Sequence, residues 1–217
     1  MGLSKDKIGK FVALGGTFIS HQEEKEVSYR WPDLWVVPPE GIITDGETIE
    51  IPGRVEKVKP GAEITAVIGE DIYEVDEEEA WDAVKGFTIS NDVSVAGDWP
   101  GWSDPNNDMI SGVGYKLLPT FSPLLSEYVE KDETVDYQDL SVEVRVDGEV
   151  AVSGSTAQMG FSIPELISFA SNICKLNEND VVALGDPGNS TKFLDDATTV
   201  TCEIETIGEL TNAIRKT

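Results

Sequence analysis

The amino-acid sequence predicts an α+β fold that is mostly β, and three observations lead to this prediction. Short apolar or alternating runs recur along the chain, separated by the Gly, Pro, Asn and Asp residues that favour turns. Only two segments have both the start signals and the apolar spacing of a helix. The length of 217 residues fits one domain with a core of its own. We therefore expect a single domain over 1–217 in which strands outnumber helices.

The strand segments share apolar residues that are either continuous or alternate with polar ones. In chain order they are residues 11–14, 64–68, 87–90, 140–146, 149–155, 181–184 and 200–204. Gly15-Gly16 ends the first segment and Gly69 ends the second. Asp147-Gly148 is a favoured two-residue turn, so residues 140–155 are predicted to form a hairpin.

Two helices are predicted from their caps. Asp76 and Glu79 form a capping-box pattern at the start of the first helix, and Gly86 is predicted to end it. Ser162 and Glu165 repeat the capping pattern before an apolar stripe that runs to about residue 174. The stripe of the second helix is expected to lie in the core.

The charge of the chain excludes some partners. There are 41 acidic and 16 basic residues, a net charge of −25, spread over the whole sequence. Such a surface repels nucleic acid and anionic membranes, and it is typical of proteins from a salt-saturated, halophilic cytoplasm. The sequence has no run of about 18 apolar residues and no signal-peptide pattern at its start, so a cytoplasmic location is expected. Cys174 and Cys202 lack metal-ligand spacing and are expected to be buried, unpaired thiols.

Two carboxylates stand at the ends of neighbouring predicted strands. Glu63 immediately precedes the run 64–68, and Asp92 follows the run 87–90, with the first helix between the two runs. Carboxylate oxygens are the ligands that hard divalent cations prefer. This pair therefore predicts a candidate cation site.

The same stretch resembles the fumarylacetoacetate hydrolase family, which includes acylpyruvases, oxaloacetate decarboxylase-like enzymes and hydratase-isomerases. Residues 61–69 resemble its E-x-E-L-x-x-V-I-G strand, and residues 91–97 resemble its N-D-x-S-A-R-D motif. Residues 115–123 and 207–212 resemble its G-K-S-F-D-T-F-x-P and I-G-x-L-x-N motifs. The motifs occur in the family's order from about residue 11 to residue 214.

The resemblance implies a mixed β-sandwich roll that forms a homodimer. It divides the chain into an N-terminal segment, 1–58, with a lid-like region, and a core, 59–217. It also implies Mg²⁺ or Mn²⁺ held by Glu63 and Asp92. No other cofactor is expected.

The resemblance further assigns roles to side chains outside the metal pair. His21 and Glu24 fall on the catalytic pair of the G-x-N-Y-x-x-H-x-x-E motif, and Lys116 falls on the active-site lysine. Residues three apart on a helical turn are neighbours, and a carboxylate raises the basicity of an imidazole beside it. Thr156 and Asp186 fall on substrate-binding positions. From the local sequence alone, His21 and Lys116 are better explained as exposed surface residues.

Several family residues are absent from this chain. The first metal glutamate falls on Gly61, the arginine on Ala96, a lysine on Val37 and a glutamine on Val152. Asp186 replaces a threonine, which either adds a negative charge to the substrate site or supplies a new oxygen ligand. Two carboxylate ligands still permit Mg²⁺ binding but predict a lower affinity than in typical relatives.

The predicted function is a metal-dependent enzyme acting on a small 2-oxo acid. The reaction would be C–C hydrolysis, decarboxylation, tautomerisation or isomerisation through an enolate. The missing residues leave two alternatives open. One is a non-catalytic member of the family that keeps the fold and the dimer, and the other is an enzyme whose substrate lacks one acidic group.

Overall fold

The structure is a computed structural model that describes residues 1–20, 30–96 and 114–217. The strands of the described residues are β1 (Phe11–Gly15), β2 (Asp33–Val37), β3 (Ile42–Thr44), β4 (Thr48–Ile51), β5 (Val58–Lys59), β6 (Ala62–Ile68), β7 (Val84–Asn91), β8 (Ser94–Val95), β9 (Ser122–Leu124), β10 (Val129–Glu130), β11 (Ser141–Val146), β12 (Glu149–Ser155), β13 (Val181–Ala183), β14 (Thr199–Ile204) and β15 (Gly208–Lys216). The helices are α1 (Glu77–Asp82) and α2 (Ile163–Ile173), with short 3₁₀ turns at Lys5–Lys7, Pro39–Gly41, Gly114–Lys116 and Thr156–Gln158.

Two large sheets pack face to face. The eight-stranded sheet has the order β2-β1-β13-β6-β7-β9-β3, with β10 also paired to β7. The five-stranded sheet has the order β12-β11-β14-β15-β4, and β5 and β8 form a small ribbon. Parallel pairs, such as β1 with β13, occur beside antiparallel ones, such as β6 with β7. The predicted mostly β fold, a mixed β-sandwich roll with few short helices, is confirmed.

The strand β6 runs through the middle of the eight-stranded sheet and is buried on both faces. Successive side chains of a strand point to opposite faces. Ile64 and Ile68 lie in the core between the two sheets. Val67, on the other face, packs with Phe11 in a second apolar cluster. Glu63 shares the face of Val67, so its carboxylate lies outside the sandwich core.

The start of α1 agrees with the prediction, but its end does not. The Asp76 side chain accepts a hydrogen bond of 3.0 Å from the backbone N–H of Glu79. The helix ends at Asp82, and Gly86 lies inside β7. The prediction that Gly86 ends the helix is therefore wrong. A Cβ at Gly86 would overlap the carbonyl oxygen of Val129 on the neighbouring β10, so the glycine permits close strand packing.

The second helix and the hairpin are confirmed. Ser162 Oγ accepts from Glu165 N at 3.2 Å, while a Glu165 carboxylate oxygen accepts from Ser162 N at 3.3 Å. Strands β11 and β12 pair in antiparallel register. Asp147 and Gly148 connect them with φ angles of 50° and 82°, as a two-residue turn of the I′ kind requires.

The remaining fold expectations concern membranes and thiols. Among the described helices, none combines the length and the apolar character needed to cross a bilayer. Cys174 and Cys202 are both free thiols, as predicted. Cys202 is buried, whereas Cys174 is only half-buried, so the predicted burial holds for one of them.

Candidate metal centre

Glu63 and Asp92 lie at the same end of two paired strands. Glu63 pairs with Ser90 in the antiparallel register of β6 and β7, and Asp92 is the first residue after β7. The backbone N–H of Asp92 donates a 2.8 Å hydrogen bond to the carbonyl oxygen of Gly61, just before β6. The register of one strand pair thus brings the two carboxylates together.

A third carboxylate joins them from a distant part of the chain. Strand β13 pairs with β6 so that Ala183 lies opposite Thr65, and the loop after β13 passes Glu63. Asp186 lies in that loop. One carboxylate oxygen from each of Glu63, Asp92 and Asp186 lies within 4.8 Å of the other two. This is the spacing from which one cation could be held by all three groups.

Backbone N–H groups of the same loop orient two of these carboxylates. Gly185 N donates to Glu63 Oε2 at 3.0 Å, and Gly188 N donates to Asp186 Oδ1 at 2.7 Å. Both carboxylates are nearly withdrawn from solvent, with 1% of Glu63 and 9% of Asp186 exposed. These backbone donors fix the acceptor oxygens in place.

Lys116 adds one positive charge to the cluster. Its ammonium group forms an ion pair with the Asp92 carboxylate. The same nitrogen lies 4.8 Å from the ring centroid of Trp35, within the range of a cation–π interaction. Lys116 is therefore held at the edge of the carboxylate cluster by an anion and an aromatic face. Its catalytic role stays a prediction.

The pKa of Glu63 reflects this surplus of negative charge. Burial first, and then the charge of the neighbouring Asp186, raise the pKa of the Glu63 carboxyl, while Lys116 and the N–H of Gly185 act against them; the net result is a pKa of about 8. Ionisation of Glu63 is therefore disfavoured in the metal-free site, and a divalent cation would favour the ionised carboxylate.

The described residues fit a hard divalent cation. Their ligand atoms are carboxylate oxygens, which suit Mg²⁺ and Mn²⁺ better than soft metals. A small cavity lined by Glu63, Asp92 and Asn91 adjoins the cluster. Asn91 is 1% exposed, and its Nδ2 has no hydrogen-bond partner among the residues that the structure describes.

A larger cleft lies beside the loop that carries Asp186. It has a volume of about 380 Å³, and its walls are formed by Ser20, residues 150–153, Gln158, residues 187–189 and Thr191. All these side chains are neutral, whether polar or apolar. The cleft could take the uncharged part of a ligand bound near Asp186.

The other predicted site residues are placed less directly. His21 and Glu24 lie outside the described residues. Ser20, which precedes His21, donates a 2.8 Å hydrogen bond to the carbonyl oxygen of Pro187, next to Asp186. Thr156 is fully buried, and its hydroxyl donates to Tyr137 O at 3.0 Å and accepts from Leu140 N at 2.8 Å. Because backbone groups occupy that hydroxyl, its predicted substrate-binding role has no support from the geometry.

Two residues of the site were not singled out from the sequence. Asn91 stands beside Asp92 in the N-D motif, so the motif itself offered a signal. Trp35 was grouped with an apolar cluster, and nothing in its local sequence indicates that its ring faces a lysine from residue 116.

Comparisons with known proteins place this architecture in a family. The fumarylacetoacetate (FAA) hydrolase C-terminal family matches residues 10–215. A homoprotocatechuate catabolism bifunctional isomerase/decarboxylase of Escherichia coli is 31% identical over 95% of this chain, and a mitochondrial oxaloacetate tautomerase of Xenopus laevis is 31% identical over 94%. The chain spans only 46% and 65% of the lengths of these two relatives.

A solved structure shows the same fold. The 5-carboxymethyl-2-hydroxymuconate delta-isomerase of Mycobacterium smegmatis superposes with a TM-score of 0.78 at 26% identity. The match covers 97% of this chain and 80% of that protein. The fold of this chain is thus shared with that enzyme. This chain belongs to the fumarylacetoacetate hydrolase C-terminal family.

Proposed function

We propose that this chain is a Mg²⁺- or Mn²⁺-dependent enzyme that acts on a small 2-oxo acid. The observation that carries the proposal is the convergence of three buried or half-buried carboxylates beside Lys116 and an unpartnered Asn91 amide. The relatives are named as isomerases, decarboxylases and tautomerases, and such reactions on 2-oxo acids can share an enolate. C–C hydrolysis, decarboxylation, tautomerisation and isomerisation are all compatible with this site.

In this proposal Glu63 and Asp92 hold the metal. When bound, the ion would polarise the substrate's 2-oxo and carboxylate oxygens and stabilise negative charge on them. The Asp92 carboxylate has a second function, because it also holds the ammonium group of Lys116. The eight-stranded sheet keeps the two ligands in register, so little reorganisation is needed on binding.

Lys116 is proposed to bind a substrate carboxylate or a developing oxyanion. The ion pair with Asp92 and the Trp35 ring fix its nitrogen at the edge of the cluster. A positive charge aimed at the site where negative charge develops lowers the barrier most when water is excluded. The side chain of Lys116 is 21% exposed, so most of it is already shielded from solvent.

His21 and Glu24 are proposed to move a proton or to activate water. The support is the motif spacing and the anchoring of Ser20, their neighbour in sequence, on Pro187. That hydrogen bond ties the start of the proposed lid segment to the loop carrying Asp186. Thr156 remains a proposed substrate-binding residue through the resemblance alone.

A second candidate differs in the substrate rather than in the chemistry. The neutral walls of the cleft beside Asp186 favour a 2-oxo acid whose far end carries no charge. A diacid would place its second carboxylate near Asp186, and the described residues of that cleft offer no cation to offset it. The comparison of kcat/KM for a diacid and for a neutral-tailed monoacid of equal length tests this candidate.

Two further properties are proposed for the whole protein. The family resemblance supports a homodimer, which light scattering after size-exclusion chromatography would test. The net charge of −25 supports a cytoplasmic protein adapted to high salt. Its free energy of unfolding should then rise through a KCl series, and no increase would contradict this proposal.

The experiment that tests the function combines metal removal with a substrate panel. Protein stripped of metal is assayed with oxaloacetate and an acylpyruvate, before and after Mn²⁺ is added. Turnover should require Mn²⁺, disappear with EDTA and disappear in Asp92→Asn. The matched control is Asp196→Asn, which removes the charge of an exposed carboxylate after β13 and should behave as wild type. Turnover that persists in EDTA would contradict metal dependence, and no turnover of any 2-oxo acid would favour the non-catalytic alternative.

A further inference from the structure

Position 61 and the Asp186 side chain compete for one place in the site. A Cβ at Gly61 would lie 2.9 Å from the Asp186 Cγ and 3.0 and 3.3 Å from its two oxygens. These separations are shorter than ordinary van der Waals contact between a Cβ and a carboxyl group. Any side chain at position 61 would displace the Asp186 carboxylate. Asp186 reaches the cluster because Gly61 leaves the space open.

The same geometry explains what a side chain at position 61 would otherwise do. Gly61 immediately precedes β6 and is two residues from Glu63, so the two positions face the same side of the sheet. A carboxylate at position 61 would therefore approach the cluster from β6 itself. Asp186 approaches instead from the loop after β13, and its Oδ1 is oriented by the 2.7 Å hydrogen bond from Gly188 N.

We infer that Asp186 is the third metal ligand of this protein, and that it takes the place of a carboxylate at position 61. The inference rests on the proposed metal centre, but not on which reaction that centre performs. The carboxylate that the resemblance places at position 61 is instead supplied from position 186. The substrate-binding role predicted for Asp186 becomes a metal-binding role.

A separate observation concerns the residue beside Asp92. The Asn91 Oδ1 accepts a 3.1 Å hydrogen bond from the backbone N–H of Gly61, which fixes the orientation of the amide and ties position 61 to the end of β7. The Asn91 Nδ2 is buried without a partner among the described residues, and Asn91 is one of the residues that line the cavity beside Glu63 and Asp92.

The exchange changes the expected affinity. Two carboxylates predicted weak binding, but Glu63, Asp92 and Asp186 together provide three. Because the Asp186 side chain is shorter than that of a glutamate, the loop backbone, rather than a long side chain, brings the carboxylate to the cluster. The position of the Asp186 carboxylate should therefore depend on Gly61 and on the loop backbone.

Titration of Mn²⁺ into metal-stripped protein tests the inference by calorimetry and by electron paramagnetic resonance. Asp186→Asn keeps the shape and the acceptor for Gly188 N but removes the charge. It should weaken Mn²⁺ binding by about 10-fold or more. This is at least the effect of losing a residue that hydrogen-bonds to a metal ligand without touching the metal. Gly61→Glu/Asp186→Thr should return the affinity to within about threefold of wild type, since the carboxylate is restored from β6. Asp196→Asn should bind as wild type.

Each outcome has a separate meaning. If Asp186→Asn binds Mn²⁺ like wild type, the inference is overturned while the proposed function stands. If the double variant unfolds at the wild-type temperature but does not regain affinity, the exchange between the two positions is overturned. If wild type itself does not bind Mn²⁺, both the inference and the metal-dependent function are overturned. Tight binding that depends on Asp186, without turnover of any 2-oxo acid, would leave the ligand assignment intact and remove the proposed reaction.

Discussion

The two faces of strand β6 are equally buried, but they contribute differently to the molecule. Ile64 and Glu63, adjacent in sequence, are each 1% exposed. Ile64 lies in the apolar core between the two sheets. Glu63 lies on the opposite face, where it accepts a hydrogen bond from Gly185 and is close to Asp186 and Lys116.

Burial alone therefore does not distinguish a residue of the apolar core from a residue of the candidate metal site. The apolar face gains free energy from removing carbon from water. The carboxylate face loses free energy in the metal-free protein, because burial and like charges oppose ionisation of Glu63. The core face therefore has to stabilise a site that the fold alone disfavours.

The largest expected effect comes from removing the charge on the site face. Glu63→Gln keeps the size of the side chain and the acceptor for Gly185 N. Loss of a group that only orients a metal ligand lowers the affinity by roughly 10- to 100-fold. Because Glu63 is proposed as a ligand itself, Mn²⁺ affinity should fall by more than this. The free energy of unfolding of the metal-free protein should not decrease, since a buried ionisable group is lost. Mn²⁺ titration measures the affinity, and urea unfolding measures the free energy of unfolding. A metal-free variant that is less stable than metal-free wild type would contradict the proposed difference between the two faces.

The core face should give the reverse pattern. Ile64→Ala should lower the free energy of unfolding by about 2–5 kcal/mol, because the vacated space between the sheets cannot close fully. Mn²⁺ affinity, measured well below the unfolding temperature, should stay within about threefold of wild type. If Ile64→Ala lost metal binding while still folded, the two faces would not be independent.

The pH dependence of stability and of metal binding should come from the face of β6 that carries Glu63. The folded pKa of Glu63, about 8, lies above its ordinary value of 4.5. Between these values the unfolded chain releases this proton and the metal-free native protein keeps it, so the contribution of Glu63 to stability falls as pH rises from about 4.5 to about 8. Apparent Mn²⁺ affinity should rise over the same window, with proton release near pH 7.

Calorimetry in two buffers of different ionisation enthalpy measures that release. In Glu63→Gln the release should be smaller, while Ile64→Ala should leave it unchanged. Equal proton release in wild type and Glu63→Gln would mean that another group titrates.

The smallest expected effect concerns the aromatic support of Lys116. Trp35→Phe keeps an aromatic face but weakens the cation–π interaction, which is worth about 0.5–1 kcal/mol. If Lys116 binds substrate, KM should rise by roughly two- to fivefold, since 1.4 kcal/mol corresponds to tenfold. Steady-state kinetics measure this change, with Lys116→Met as the reference for complete loss of the lysine's contribution to substrate binding. A large fall in kcat without a change in KM would instead place Trp35 closer to the chemistry.

The sequence predicted the features that depend on neighbouring residues. Capping patterns at Asp76 and Ser162 located both helix starts, because the cap and its partner are three residues apart. Glu63 and Asp92 were recognised because each stands at the end of an apolar run. The Asp147-Gly148 turn similarly predicted the hairpin from two residues, but not the register shift between Val144 and Arg145.

The features that depend on distant packing could not be predicted in this way. Gly86 has the same local signal whether it ends a helix or admits a neighbouring strand, and Val129 on β10 decides between the two. Asp186 could be named only as an alternative ligand, since its arrival beside Gly61 follows from the pairing of β13 with β6. His21 and Glu24 stay predictions, because they lie outside the described residues.

The place of β13 also has a consequence for the order of folding. This strand pairs with β1 on one side and β6 on the other, although both precede it by more than a hundred residues. Until β13 arrives, β1 and β6 leave unpaired edges, and closing such long loops is slow. The hydrogen bond from Gly185 to Glu63, which spans 122 residues, forms only at that moment. During synthesis the chain can therefore complete its carboxylate cluster only after most of the protein has emerged, while β14 and β15 have still to join the five-stranded sheet.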